Sequence, residues 1–286
     1  MNGLGGKTLF ITGGSRGIGL AIAVRAARDG ANVVIAAKTD APNPKLPGTI
    51  HTAANDIEDA GGKALPIACD IRDETALREA VDAAAAQFGG IDILVNNASA
   101  ISLTGTERTP MKRVDLMLDV NVRGTFAATQ ACLPWLKASA RSGRGPHVLT
   151  LAPPPTLDPR WYRDHVAYTI AKMGMSLCVL GHAEEFRGDG IGVNALWPRT
   201  VIRTAAIAMI PGAADEQKRM RTPEIVADAA HAILVRDPRT CTGRFFIDEE
   251  ALREAGVADF SRYAVEPGQP LLPDLFLDWP RPGESP

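Results

Sequence analysis

Cysteines, aromatic residues and long apolar runs are all scarce in this chain of 286 residues. The four cysteines lie far apart, which argues against a disulfide framework and against a metal site of closely spaced ligands, so we expect no metal. No apolar run reaches the roughly 18 residues that a membrane-spanning helix needs. Because the N-terminus also lacks the charged and apolar regions of a secretory signal, we expect a cytoplasmic protein.

An excess of charge of either sign is missing as well. The 31 basic and 33 acidic residues leave a formal net charge of −2, which gives no electrostatic footprint for nucleic acid. With 45% hydrophobic residues, the chain is long enough to fold as one large domain. We predict a single domain over residues 1–286, of which residues 251–286 form a proline-rich C-terminal extension.

Short apolar runs alternate with amphipathic segments through most of the sequence. The apolar runs, which we interpret as strands, cover residues 8–12, 32–37, 64–68, 91–96, 147–151, 191–196 and 244–247. The amphipathic segments, which we interpret as helices, cover residues 18–28, 52–60, 74–88, 125–138, 167–186 and 223–235. This alternation predicts an α/β fold: a doubly wound (Rossmann) parallel sheet of seven strands with helices on both faces. Ligands of such sheets bind beyond the carboxyl ends of the strands.

A glycine-rich turn joins the first predicted strand to the first predicted helix. It reads Thr12-Gly13-Gly14-Ser15-Arg16-Gly17-Ile18-Gly19. Glycines let the backbone turn tightly and approach a pyrophosphate, which then lies on the helix N-terminus with its free N–H groups and positive dipole end. Taken alone, such glycines could equally form an ordinary turn. The order of strand, turn and helix favours phosphate binding.

The end of the second predicted strand carries no acidic residue. A dinucleotide fold that prefers NAD usually has Asp or Glu there, to hold the ribose 2′-hydroxyl. Here Ala37 is followed by Lys38, and Arg16 lies within the glycine turn. Two cations without a carboxylate suit a 2′-phosphate, so we predict NADP as the cofactor, with NAD as the other possibility. Solvated surface charges are the alternative interpretation of these cations.

Polar residues also follow the third and fourth predicted strands. Asp70, followed by Ile71, either lines the cleft or caps the helix that begins near Asp73. Asn97, followed by Ala98, either holds the central strands together or lines the cleft. Farther on, Asn121 lies within a helical stretch whose glycine suggests a bend. Asn is mildly unfavourable inside a helix, which indicates a local role.

The pair Tyr168 and Lys172 is the most informative. Residues four apart on a helix share a face, so the phenol and the ammonium project to the same side. A nearby ammonium favours the phenolate and lowers the tyrosine pKa, which makes the phenol a usable proton donor or acceptor. This spacing is common by chance, and a surface pair is the alternative for the motif alone.

In this order, the glycine turn, Asn96-Asn97-Ala98, Asn121 and Tyr168-x-x-x-Lys172 resemble the short-chain dehydrogenase/reductase family over residues 5–250. The resemblance implies hydride transfer between a nicotinamide cofactor and a carbonyl or alcohol. Tyr168 would be the acid/base, Lys172 would hold the nicotinamide ribose and lower the tyrosine pKa, and Asn121 would belong to a proton relay. The cofactor residues would be Gly13, Ser15, Arg16, Gly17, Ile18, Gly19, Lys38, Asp70, Ile71, Asn97, Ala98, Tyr168, Lys172, Pro198 and Thr204.

Several segments are similar to the hydroxysteroid dehydrogenase-like subfamily, whose animal members carry an added sterol-carrier domain. We expect this chain to correspond to their dehydrogenase part only. The segments that carry the resemblance are residues 36–39, 44–46, 167–175, 194–198 and 267–271.

Two positions depart from the family pattern. The family's fifth strand normally ends in a pair of serines, the second of which polarises the substrate carbonyl, but Ala152 and Pro153 stand here. The proline after the sixth strand is followed by Arg199 where glycine is usual, and the threonine expected near the carboxamide is shifted to Thr204. A cofactor-binding protein with little or no turnover is therefore the alternative function.

We expect a small, mainly apolar substrate, bound by an apolar surface of the protein. Residues 153–162 and a lid over residues 201–211, with Ile207, Met209 and Ile210, would supply it. The long helical segments 112–138 and 167–186 carry more apolar surface than one side of a sheet can bury. The family resemblance implies that these helices form the interface of a homodimer or homotetramer.

Overall fold

The computed structural model describes residues 3–43, 46–210, 212, 213 and 215–278. Three of the sequence predictions extend beyond these residues. Pro44 and Lys45 of the subfamily-like segment, Pro211 at the end of the expected lid, and residues 279–286 of the C-terminal extension all lie outside the described residues.

The described strands form one sheet of seven, in the order β3-β2-β1-β4-β5-β6-β7. All neighbouring strands pair in parallel. The strand order reverses beside β1, which pairs with both β2 and β4, and this is where a doubly wound sheet opens its ligand crevice. The predicted fold class is confirmed. The strands are β1 Thr8–Thr12, β2 Asn32–Ala37, β3 Lys63–Ala68, β4 Ile93–Asn96, β5 His147–Thr150, β6 Gly192–Trp197 and β7 Phe245–Ile247.

Helices cover the sheet and begin and end close to the predicted positions. The helix α3 shows why: Asp73 accepts hydrogen bonds from the N–H groups of Thr75 (2.9 Å) and Ala76 (3.1 Å), and Gly89 ends the helix in a left-handed conformation. The helices are α1 Gly17–Ala27, α2 Ile50–Asp59, α3 Glu74–Phe88, α4 Met111–Met117, α5 Gly124–Arg141, α6 Val166–Glu185, α7 Ala205–Ala208, α8 Glu224–Leu234 and α9 Asp248–Glu254. Of these helices, α7 and α9 were not predicted from the sequence.

The bend predicted near Gly124 is a π-helical segment, Leu118–Arg123, which joins α4 to α5. The hydroxyl of Thr125 donates a 2.6 Å hydrogen bond to the carbonyl oxygen of Asn121. A side chain that bonds back to the preceding turn competes with the regular helical ladder. Single π turns within helices are frequent at functional sites.

Buried apolar residues form one cluster on each face of the sheet and a third at the carboxyl edge of the strands. We call this third group the edge cluster; its buried members are Met117, Tyr168, Ala171, Met173, Trp197, Ile247 and Phe276. Trp197 and Ile247 end β6 and β7, so the cluster lies where a doubly wound fold places its chemistry. Within the described residues, no helix is long and apolar enough to cross a membrane, and no group of His, Cys, Asp and Glu is arranged to hold a metal.

Candidate functional site

Hydrogen bonds from β4 hold the glycine turn in place. The Asn97 amide group donates to the carbonyl oxygens of Thr12 (2.9 Å) and Gly13 (3.0 Å). The Thr12 hydroxyl accepts from the backbone N–H groups of Asn97 and Ala98, each at 3.1 Å. Gly13 has a φ of +67°, and a Cβ on Gly19 would lie 2.5 Å from the Asn97 amide nitrogen. Asn97 therefore holds the turn and lines the cleft at once, which combines the two predicted roles.

An open cleft of about 470 Å³ lies between this turn and the ends of β2, β3 and β4. Among the predicted cofactor residues, Gly19, Tyr168, Lys172 and Pro198 do not line it. Those that do are Gly13, Ser15, Arg16, Gly17, Ile18, Lys38, Asp70, Ile71, Asn97, Ala98 and Thr204. Thr204 also caps α7, since its hydroxyl accepts from the N–H of Ile207 at 3.3 Å. The structure thus brings residues from four strand ends and the lid into one cleft.

Both predicted cations face the cleft. The Arg16 guanidinium donates to the carbonyl oxygen of Gly48 (2.7 Å), while its buried Nε has no hydrogen-bond partner among the described residues. The Lys38 ammonium lies 3.6 Å from the Asp70 carboxylate and is 60% exposed. Hydrogen bonds from Arg72, more than the charge of Lys38, lower the pKa of Asp70 to about 2. The suggestion that Asp70 caps α3 was wrong, because Asp73 occupies that position.

Lys172 is buried in α6, with its ammonium directed at the end of β5. It donates a 2.8 Å hydrogen bond to the carbonyl oxygen of Leu151, and it lies 5.0 Å from the centre of the Trp197 ring. Burial lowers the pKa of Lys172 to about 7, although the negative charge of Asp274 opposes this shift. The lysine is therefore neither exposed nor part of a surface pair.

Tyr168 lies in the edge cluster and is only 5% exposed. Its ring centre is 6.2 Å from that of His165 and 6.3 Å from that of Phe276. Burial, and secondarily the charge of Asp274, raise the pKa of the phenol above its ordinary value. This differs from the expectation that Lys172 lowers it, because in this arrangement the ammonium donates to the Leu151 carbonyl and the phenol is enclosed by apolar groups.

Asn121 is fully buried in the π-helical segment. Its side-chain oxygen accepts from the N–H of Ala100 (2.7 Å), and its amide nitrogen donates to the Ala100 carbonyl (3.0 Å). Within the described residues, none of its side-chain hydrogen bonds joins it to Tyr168 or Lys172. Its two hydrogen bonds instead hold Ala100 in position. Ala100 lines the cleft and also packs against the edge cluster.

A family model described as short chain dehydrogenase matches residues 7–211. The chain belongs to the short-chain dehydrogenase/reductase family. A crystal structure of a putative dehydrogenase from Xanthomonas campestris is 60% identical, covers 97% of this chain and 100% of its own, and has a TM-score of 0.92. A short chain dehydrogenase from Mycobacterium thermoresistibile is 53% identical, with 98% of both chains covered and a TM-score of 0.90.

The subfamily resemblance is also confirmed. Hydroxysteroid dehydrogenase-like protein 2 of Danio rerio is 61% identical over 275 residues. The match covers 96% of this chain and 65% of the Danio rerio protein, so the chain spans less than two thirds of that relative's length.

The place of the family's missing serine is apolar and closed. Ala152 and Pro153 are both buried, and the Pro153 carbonyl accepts a 2.7 Å hydrogen bond from the hydroxyl of Ser176. Of the two nearest threonines considered from the sequence, Thr150 is buried within β5, and Thr156 accepts from the N–H of Asp158 at 3.1 Å. The end of β5 therefore presents no hydroxyl at the position where the family has serine.

The residues that surround Tyr168 were not predicted from the sequence. His165, whose ring nitrogen lies 2.9 Å from the Thr169 hydroxyl, caps α6 beside the phenol. Phe276 and Asp274 belong to the C-terminal extension, to which no role was assigned. Burial raises the pKa of Asp274 to about 7, and Lys172 and Asp248 are the charged groups that act on it. The only sequence signal was the apolar run that follows Asp274 in an otherwise polar and proline-rich tail.

The cleft fits the nicotinamide dinucleotide that the family binds. Glycines let the backbone come close where a Cβ would collide, as at Gly13, where it would lie 2.9 Å from the Cα of Ala98. The buried Arg16 Nε, which has no hydrogen-bond partner in the part of the chain that the structure describes, offers a donor at the adenosine end. The cofactor residues would then be held by β1, β2, β3 and β4, with Tyr168 and Lys172 beyond Ala100.

Proposed function

We propose that this protein is an oxidoreductase that transfers a hydride between NADP(H) and the carbonyl or alcohol of a small, mainly apolar substrate. The observation that carries the proposal is the position of Ala100. It lines the dinucleotide cleft and packs on the edge cluster that contains Tyr168, so the cofactor site and the proton-transfer residue share a wall.

In this proposal, side chains of the protein donate and accept the proton. In reduction the Tyr168 hydroxyl gives its proton to the substrate oxygen, and in oxidation its oxygen takes the alcohol proton. The bound nicotinamide would supply or accept the hydride at the carbon. Lys172, buried one helical turn away, would in its protonated form stabilise the phenolate that remains on Tyr168. Asn121 would act as a positioning residue, through its two bonds to Ala100.

The preference for NADP(H) rests on charge at the end of β2. Arg16 and Lys38 line the cleft there, and Ala37 offers no carboxylate to a 2′-hydroxyl. Asp70 does not replace that carboxylate, because it is held by Arg72 at 2.6 Å and by Lys38 at 3.6 Å. A 2′-phosphate would meet two cations, whereas a 2′-hydroxyl would gain no acceptor from Ala37.

The apolar character of the substrate rests on the groups around the phenol and at the cleft mouth. Trp161, Tyr162 and Phe276 pack at the edge cluster, and Met209 of the lid lines the cleft while 63% exposed. The Danio rerio relative is named for hydroxysteroids, and a steroid, a fatty-acyl or a terpenoid alcohol would each suit such a surface.

A homodimer or homotetramer is part of the proposal. Large apolar side chains stay exposed on the two helices α5 and α6: Phe126 at 50%, Ile170 at 49%, Leu177 at 61% and Leu180 at 44%. Phe126 of α5 lies 5.4 Å from the buried His182 of α6, ring centre to ring centre, so the two helices meet beside this exposed residue. Large apolar side chains exposed on neighbouring helices are typical of a protein interface.

Replacement of the phenol tests the proposed chemistry. A panel of steroid, fatty-acyl and terpenoid ketones and alcohols is screened with NADPH and NADP⁺, and the best substrate is used for Tyr168→Phe. We expect kcat to fall by about 10²–10⁴-fold, while NADPH binding, followed by its fluorescence, changes little. Unchanged turnover would reject Tyr168 as the acid/base.

The second candidate function is cofactor binding with little or no turnover, favoured by the buried Pro153 where the family has serine. Loss of one pre-organised donor to a developing oxyanion costs roughly 10²–10³-fold in rate, which is less than a typical enzyme's whole acceleration. Pro153→Ser separates the candidates. A rise in kcat on a substrate of the panel supports an enzyme short of one donor. Micromolar NADPH binding with no turnover by either form supports the binder.

A further inference from the structure

The end of the described chain returns to the carboxyl edge of the sheet. We call residues 271–278 the closing segment. The N–H of Val201 donates to the Leu272 carbonyl (3.0 Å), and the N–H of Asp274 donates to the Arg199 carbonyl (3.0 Å). Since Arg199 is the second residue after β6 and Val201 begins the lid, these bonds fix the closing segment between the sheet edge and the lid.

The arginine that departs from the family pattern strengthens this attachment. Its own N–H bonds the Asp248 carboxylate (3.0 Å), and its guanidinium bonds Glu250 (2.6 Å) at the start of α9. Arg199 therefore has a rigid backbone whose carbonyl can hold Asp274. Trp197 adds a further tie, because its indole N–H donates to the Leu275 carbonyl at 2.9 Å.

These hydrogen bonds place the Phe276 side chain next to the Tyr168 phenol. The Phe276 ring is 4% exposed, and its centre lies 6.3 Å from the Tyr168 ring, 5.8 Å from the Trp197 ring and 5.9 Å from the Trp161 ring. A phenol that exchanges a proton with a substrate needs one side open to it. The Phe276 ring packs near the phenol ring on the side of the closing segment.

The backbone at Phe276 adopts a conformation that a bulky side chain disfavours. Its φ is +71°, the left-handed region, and among the described residues it is the one non-glycine residue with positive φ. Such conformations persist where the surroundings impose them, and they cluster at ligand sites. Glycine adopts this backbone conformation without steric strain, so the conformation alone does not require a bulky side chain at this position.

We propose that Phe276 is the wall that closes the substrate site over Tyr168 and thereby limits the size of the group next to the reacting carbon. The proposal rests on the proposed reductase function for its size limit, but the closure itself can be measured without a substrate. The occupant beyond this wall would be a ketone or alcohol of small cross-section at the reacting end.

Tyrosine nitration tests the closure. The chain has three tyrosines, so peptide mass spectrometry can follow Tyr162, Tyr168 and Tyr263 separately during treatment with tetranitromethane. Phe276→Ala is expected to raise the nitration rate of Tyr168 several-fold and to leave that of the buried Tyr263 unchanged. Phe276→Gly, which suits the left-handed backbone, should raise the nitration rate of Tyr168 in the same way. It replaces Phe276→Ala if that variant folds poorly. Phe260→Ala, the same change elsewhere in the extension, is the matched control and should alter nothing at Tyr168.

A ketone series tests the size limit. Cyclohexanone, 4-tert-butylcyclohexanone and 2-decalone are assayed with NADPH, and Phe276→Ala should raise kcat/KM for the bulky ketones relative to cyclohexanone by about tenfold. An unchanged size preference in an active variant, or unchanged Tyr168 nitration, overturns the proposal. If no form reduces any ketone, the proposed function fails, and the nitration result alone decides whether Phe276 closes the site.

Discussion

At the scale of single residues, Tyr168 lies near two ionisable groups of opposite charge type, the buried Lys172 and the half-buried Asp274. Burial lowers the pKa of Lys172 to about 7 and raises the pKa of Asp274 to about 7. Each acts on the other, and Asp248 adds a like charge that further raises the pKa of Asp274. Their protonation states therefore change together near neutrality, which links the stability of the fold to pH.

Asp274→Asn should change the pH dependence of stability. The pKa of Asp274 is about 7 in the folded protein and close to 3.9 when unfolded, so the folded state holds the extra proton between these values. Stability contributed by this group is present at low pH and is lost as pH rises through that window. The Asp274→Asn variant should lack this loss of stability. The Tm of the variant minus the Tm of wild type should therefore increase from pH 4 to pH 7.

The control for this experiment is Asp278→Asn. That carboxylate belongs to the same closing segment but is 86% exposed. Thermal unfolding of the three proteins across pH 4–8 decides the matter: parallel curves for wild type and Asp274→Asn would contradict the assignment.

The cofactor preference is likewise a property of single residues. Ala37→Asp places a carboxylate where a 2′-phosphate would lie, so we expect NADPH to bind at least tenfold more weakly and NADH more tightly. Lys38→Ala should weaken NADPH by only a few fold, since this lysine is 60% exposed and shares its charge with Asp70. Fluorescence titrations with both cofactors measure these effects.

Lys63→Ala is the control for these titrations, because this exposed lysine begins β3 at the edge opposite the cleft. A wild type that binds NADH more tightly, or an Ala37→Asp variant with unchanged preference, would show that the cations have another role.

At the scale of elements, the glycine turn and β4 form one unit through Asn97. A Cβ on Gly19 would lie 2.5 Å from the Asn97 amide nitrogen and 2.8 Å from the Gly13 carbonyl oxygen, both too close. Gly19→Ala must therefore displace the turn. We expect a loss of roughly 1–3 kcal/mol of stability from this overpacking, and at least tenfold weaker NADPH binding, measured by thermal unfolding and titration.

Gly188→Ala is the matched control for that variant. No atom lies within 4 Å of the position of its Cβ, so the same change should leave stability and NADPH binding almost unaltered. Equal behaviour of the two variants would mean that the turn does not depend on its contact with Asn97.

At the scale of the whole molecule, α5 and α6 expose apolar side chains that do not pack against the sheet. Leu177, exposed by 61%, should be covered in an oligomer. Light scattering at micromolar concentration should give a dimer or tetramer for wild type, and Leu177→Glu should lower the mass because it places a charge in the interface. Leu157→Glu, at a loop position exposed by 92%, should not. A monomeric wild type would contradict the proposal.

The sequence by itself determined the sheet, most helices and the candidate residues. The predicted limits of β1, β2 and α3 agree with the structure, because the periodicity of apolar residues and the caps of a helix are local signals. The pairing of Tyr168 with Lys172 is local in the same way, since four-residue spacing alone places both on one face of α6.

Only the tertiary structure decided what surrounds that pair. Nothing local in the sequence relates Phe276 to Tyr168 or Asp274 to Lys172, because they meet through backbone bonds between the closing segment and the residues after β6. The pKa values depend on this enclosure, which raises that of Tyr168 where spacing alone predicted a fall. Hydrophobic burial is non-directional, so an apolar run in a tail indicates that it packs but not against what.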